Sequence, residues 1–205
     1  MGPALIGRGR ELAVLRGCLA AAASGRAGVA LVAGEPGIGK TRLLDTLAGL
    51  AAASGALVLR GGASDAEGMP PYLPFLEALG RHIRTAPPEA LREQVGALAP
   101  ILATILPELS VRLGELAATY PLPPEQARLR LYEAIADFVA GIAAAQPVLL
   151  ILDDLHWADP ATLDLLGFVA RHLRPEVAAV PLLVLGAYRE GEVAFLQRSS
   201  GWWPN

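Results

Sequence analysis

Residues Gly34-Glu35-Pro36-Gly37-Ile38-Gly39-Lys40-Thr41 constrain this chain more than any others. They fit the spacing G-x4-G-K-[ST], and their surroundings suit it. A short apolar run, Val29–Ala33, precedes them between Gly28 and Gly34 and reads as a buried strand. An amphipathic stretch, Thr41–Ala53, follows with Leu43, Leu47 and Leu50 on one face and reads as a helix stopped by Ser54-Gly55. A glycine-rich turn between strand and helix can aim successive backbone N–H groups at one point. The helix adds the positive end of its dipole. Such a turn is a cradle for phosphate oxygens, contributed by Gly34, Glu35, Pro36, Gly37, Ile38, Gly39, Lys40, Thr41 and Arg42. Lys40 is placed to reach terminal phosphates as a compact cation, and the Thr41 hydroxyl to ligate Mg²⁺. The alternative is a plain glycine-rich turn carrying an exposed lysine. Lys40 is also the only lysine among 17 basic residues.

A second signal lies far along the chain. Val148–Leu152 is a continuous apolar run that ends abruptly in Asp153-Asp154. Adjacent carboxylates at the end of a buried strand repel one another and call for a cation nearby. Mg²⁺ with a triphosphate supplies one: Asp153 reads as the metal-side ligand and Asp154 as the general base that polarises a water. The competing reading is that either acid only caps the turn into Leu155-His156-Trp157.

The rest of the chain supports an α/β architecture. Glu11–Ala22 reads as a helix, Ala56–Arg60 as a second strand and Leu182–Leu185 as a fourth. Asp159-Pro160 opens a helix that runs through Leu163, Leu166, Val169 and Leu173. Ten of the 17 prolines fall between Pro70 and Pro124. That segment reads as short helices over Tyr72–Arg84, Glu89–Ala97 and Ile101–Leu106, ahead of a longer one over Glu125–Ala144. Buried strands alternating with helices imply a parallel sheet, and right-handed crossovers bring the loops after strands one, three and four to one edge.

Composition narrows the classes. A 53% hydrophobic and 18% charged chain is not a disordered one. No apolar run reaches the ~18 residues of a membrane span, and Met1–Leu12 lacks the apolar stretch of a secretory signal. The expectation is a cytoplasmic protein with no membrane partner. One cysteine and three scattered histidines exclude a disulfide framework and a zinc site of cysteine or histidine. A net charge of −3 and no basic recognition helix argue against direct nucleic-acid binding.

Three stretches together, LIGRGREL near the start, GEPGIGKTRLL and LLILDDLHWAD, resemble the AAA/STAND-type ATPase domain of signalling proteins, above all that of the large ATP-binding LuxR-type transcriptional regulators of bacteria. Residues Pro71–Leu79 and Ala127–Ala134 are similar to that family too. The resemblance covers residues 4 to about 193 and implies a P-loop NTPase three-layer fold over residues 1–193; the Pro-rich helical insertion over 62–124 is read from the residues themselves, and the irregular tail over 194–205 resembles nothing in that family. The resemblance implies a four-stranded sheet in the order 1-4-3-2, without the family's fifth strand. It also implies an ATP- and Mg²⁺-dependent switch that hydrolyses slowly.

By the same resemblance, Ile6, Gly7 and Arg8, with Glu11, lie against the adenine, and Gly9 stands where the family has glutamate. Arg189, just past strand four, matches the family's sensor of the γ-phosphate; the alternative is a surface arginine paired with Glu190 or Glu192. His156 and Trp157 would position the loop after Asp154. The partners implied are ATP and ADP, with self-association or a full-length regulator as further ones. In the family a lid, a winged helix, helical repeats and a DNA-binding module follow, and the chain is expected to be an N-terminal fragment of such a protein. A docking or decoy module that keeps the fold without catalysis, using its open sheet edge and the Trp202-Trp203 tail, is the alternative from another class.

Overall fold

The computed structural model describes residues 7–172 and 179–191. In chain order the elements are α1 (Gly9–Ala23), β1 (Gly28–Gly34), α2 (Lys40–Ala53), β2 (Leu57–Gly62), α3 (Leu73–Thr85), α4 (Pro88–Val95), α5 (Ala99–Leu102), α6 (Glu108–Leu113), α7 (Pro124–Ala145), β3 (Val148–Asp153), α8 (Pro160–His172) and β4 (Leu182–Arg189). Single 3₁₀ turns cover Gly96–Leu98 and Leu155–Trp157.

The four strands form one parallel sheet in the order β1-β4-β3-β2, the order that the family resemblance implies. Central β3 is buried along its whole length, which is why it reads as a continuous apolar run rather than an alternating one. Its side chains still alternate between two cores. Leu149 and Ile151 meet Leu43, Leu44, Leu47 and Ala51 of α2 and Leu15 of α1. Val148, Leu150 and Leu152 face the larger core, shared with α3, α7 and α8. The result is three layers, α1 and α2 on one face and the remaining helices on the other. Close backbone approach seals the second face: a Cβ on Gly61 of β2 would lie 1.9 Å from the carbonyl oxygen of Pro74 in α3.

Two features differ from the sequence expectation. The predicted helix over Ile101–Leu106 is only α5, Ala99–Leu102, continued by a turn in which the Leu106 amide bonds the Leu102 carbonyl at 2.9 Å. A separate α6 then starts after Pro107, where proline removes the N–H needed to run on. Strand β4 also extends four residues beyond Leu185, so Arg189 is its last residue rather than a loop residue. Parallel pairing with β1 carries it on: Gly186 faces Leu31 in register, and Arg189 faces Gly34. Leu173, expected in the helix after Pro160, lies outside the described residues, as do Ile6 and the Trp202-Trp203 tail. No described helix is long and apolar enough to cross a membrane.

Candidate functional site

The phosphate loop starts where β1 ends. Glu35, Pro36, Gly37 and Ile38 are exposed, and α2 begins at Lys40. Gly37 (φ 74°) and Gly39 (φ 93°) both occupy the left-handed region, so the glycines of the motif are required by its backbone. Gly39 is the N-cap of α2 and offers no side-chain cap. The first-turn amides of α2 therefore lack a capping side-chain acceptor, and with the helix dipole they form the natural seat of an anion. The Lys40 ammonium folds back over the loop, donating to the carbonyls of Gly34 at 2.8 Å and Glu35 at 3.0 Å. Thr41 and Arg42 are exposed in the same first turn.

The N-terminal motif reaches this loop. Arg8 donates through Nη2 to the Ile38 carbonyl at 3.3 Å and through Nη1 to Glu11 Oε1 at 2.7 Å. The Glu11 carboxyl is held below its ordinary range by a backbone hydrogen bond and by Arg8. Gly7 precedes Arg8 with a φ of 81°.

Asp153 ends β3 level with Gly62 of β2, and it is 7% exposed. Its Oδ1 accepts the Asp154 amide at 3.0 Å, which is the turn-capping contact. Its Oδ2 accepts from Arg60 Nη2, also at 3.0 Å. Asp154 is one of two described non-glycine residues with positive φ, at 54°, and its side chain is 40% exposed. A non-glycine residue held in that region is locally strained. The strain turns the chain sharply after the strand and leaves the carboxylate open on one side, with His156 Nδ1 4.0 Å from its Oδ1.

Arg189 completes the edge. The amide of the next residue, Glu190, donates to the Gly34 carbonyl at 3.3 Å. The Arg189 guanidinium lies 4.8 Å from the centroid of Trp157, a cation–π contact, and Trp157 packs on His156 with centroids 4.5 Å apart. Thus β1, β3 and β4 end at a common edge that carries Lys40, Asp153, Asp154 and Arg189, with Trp157 bridging the last two loops.

The residue the sequence did not reveal is Arg60. It appears there only as the end of the second strand. In the fold its guanidinium forks between Asp153 and Asp45 of α2. Burial works against its charge, but the bonds to Asp45 and Asp153 outweigh that and raise its pKa. The one legible hint was a cation between Leu59 and Gly61 in an otherwise apolar run.

The donors fit a nucleotide with a hard divalent ion. Among the described residues no group of three or more His, Cys, Asp or Glu could hold a metal. The Thr41 hydroxyl and the carboxylates of Asp153 and Asp154 are oxygen donors, the kind a hard divalent ion takes.

No curated protein matches the chain. Among solved structures it is similar to the Aeropyrum pernix ORC2 protein in its ADPNP–ADP complexes, at 17% identity and a TM-score of 0.48. That alignment covers 96% of this chain and 45% of the other, so the chain spans under half the length of that structure. A family model for the AAA ATPase domain matches residues 4–185, from the N-terminal motif through the phosphate loop and acid pair into β4. The protein therefore belongs to the AAA ATPase domain family, whose members bind nucleotide.

Proposed function

We propose that this domain binds Mg-ATP at the loops after β1, β3 and β4 and acts as a slow nucleotide switch in a signalling or transcriptional regulator of the STAND, LuxR-like type. The observation that carries the reading is the loop from Gly34 to Thr41, exposed over Glu35, Pro36, Gly37 and Ile38. Its left-handed glycines and uncapped helix start lie at the same end of the parallel sheet as the buried carboxylate of Asp153. The regulator assignment rests on the LLILDDLHWAD and LIGRGREL resemblance.

In this reading the loop amides and the α2 N-terminus hold the β and γ phosphates. Lys40 exchanges the Gly34 and Glu35 carbonyls for phosphate oxygens, a movement of its flexible stem alone. Bound Mg²⁺ supplies charge neutralisation across those phosphates, with Thr41 and Asp153 as its protein-side holders. Asp154 accepts a hydrogen bond from the attacking water and draws off its proton. Arg189, shifting from the face of Trp157, senses the terminal phosphate. The Trp157 loop then leads straight into α8, so the presence of the γ-phosphate is passed to a helix of the larger core. Arg8 and Gly7, resting at the loop, flank the base.

Titration with a fluorescent ATP analogue tests this directly. Saturable binding that Lys40→Ala abolishes is the expected result; equal binding by both proteins contradicts it. The second reading, a docking module without nucleotide chemistry, draws on β1, which among the described strands pairs only with β4. It predicts that Lys40→Ala changes nothing.

A further inference from the structure

The Asp153 carboxyl lies in a site only 7% exposed, and among the described residues its cationic partner at hydrogen-bond distance is Arg60. Arg60 comes from β2, the strand that contributes no loop to the expected site. One terminal nitrogen of its guanidinium meets Asp153 Oδ2 at 3.0 Å, and the other meets Asp45 Oδ1. Asp45 lies one turn along α2 from Thr41, so this planar fork ties the phosphate-loop helix to the strand of the acid pair. A buried carboxylate robbed of its only counter-charge is strongly destabilised, and it repels any polyanion brought close.

We propose that Arg60 is the resident counter-charge of Asp153, neutralising and orienting that carboxylate so that a polyphosphate can enter the loop before a divalent ion arrives. The inference rests on the reading of Gly34–Thr41 as a nucleotide site. Arg60 acts here as a positioning residue, through its contacts to Asp153 and Asp45. Its effect on binding is therefore greatest without Mg²⁺ and small with it, because the divalent ion itself compensates the acid. A residue that merely props up the fold would weaken both conditions alike.

The test is a titration of the fluorescent ATP analogue into wild type, Arg60→Gln and Arg60→Lys, in EDTA and in Mg²⁺. Arg60→Gln is expected to raise Kd about tenfold in EDTA and less than about threefold in Mg²⁺, one charge contact being lost. Arg60→Lys keeps the charge without the fork and is expected to stay within about threefold of wild type in both. Equal weakening in the two buffers, weakening in Mg²⁺ alone, or no change overturns the proposal. Wild type that binds in neither buffer overturns the nucleotide reading itself, a distinguishable failure. Melting in the absence of nucleotide gives a second arm. Arg60→Gln should lower Tm or fail to fold, and adding Asp153→Asn should restore it by removing the stranded charge. A double variant no more stable than Arg60→Gln overturns the pairing.

Discussion

At the scale of single residues, backbone conformation and charge decide the site. Gly39 sits at φ 93° immediately before Lys40, so Gly39→Ala forces a side chain into the left-handed region. The expected cost is about 1–2 kcal/mol by urea unfolding, with weaker nucleotide binding as the loop reshapes. An unchanged unfolding midpoint would contradict the assigned geometry. Asp154 carries a shorter arm than the glutamate common in related ATPases. Asp154→Glu is expected to speed ATP hydrolysis several-fold, read as phosphate release; rapid hydrolysis by the wild type with no increase in the variant would contradict the reading that the shorter arm slows turnover. These residues were legible from sequence because each sits at a fixed offset from an unmistakable neighbour. Arg60 was not. Its partners, Asp45 and Asp153, are 15 and 93 positions away, and it takes both the pairing of β2 with β3 and the packing of α2 on β2 to bring the three together.

At the scale of elements, local signals and tertiary pairing divide the work. The start of α8 was written in Asp159-Pro160, and the structure shows the cap: Asp159 Oδ1 accepts the Thr162 amide at 3.0 Å. Its other oxygen meets the Thr162 hydroxyl, and that hydroxyl accepts the Tyr72 amide at 2.9 Å. Tyr132 of α7 donates to Ala161 at 3.1 Å and packs edge-on against Tyr72. The helix after the acid pair is thus pinned to both α3 and α7. Asp159→Ala is expected to cost about 1–2 kcal/mol in urea unfolding; a change within error would show that the pin is redundant. The far end of β4 was not legible, because Gly186 and the polar Tyr188-Arg189 interrupt the apolar pattern. The register with β1 overrides that pattern. Gly186 itself is demanded by packing, since a Cβ there would lie 2.7 Å from both Leu31 and Leu155 side-chain atoms. Helix α6 escaped notice for a different reason: at six residues it is too short to show a period.

At the scale of the whole molecule, a sheet sandwiched between two cores gives the edge loops a rigid base. A parallel sheet followed from the alternation of strands and helices, and its strand order from the family resemblance, while the packing of the Pro-rich insertion followed from neither. Phe75, Leu79, Leu91, Leu102 and Leu109 of α3 to α6 are all fully buried in one core with α7. The insertion is therefore part of the domain core, not an appendage. A ligand that binds only the folded domain stabilises it as a whole, by about 2.7 kcal/mol at a hundredfold excess over Kd. For a chain of this size that is a rise in Tm of about 5–10 °C with Mg-ATP, absent in Lys40→Ala. A rise of equal size in that variant would place the nucleotide elsewhere.

The central claim is that the backbone from Gly34 to Thr41 is a cradle for phosphate. Amide NMR shifts on addition of Mg-ATP test it residue by residue. The account predicts large, saturable shifts for Gly37, Gly39, Lys40 and Thr41, and none for Gly114 beyond α6. Shifts spread evenly over the chain, or a silent loop while ATP is bound, would contradict it.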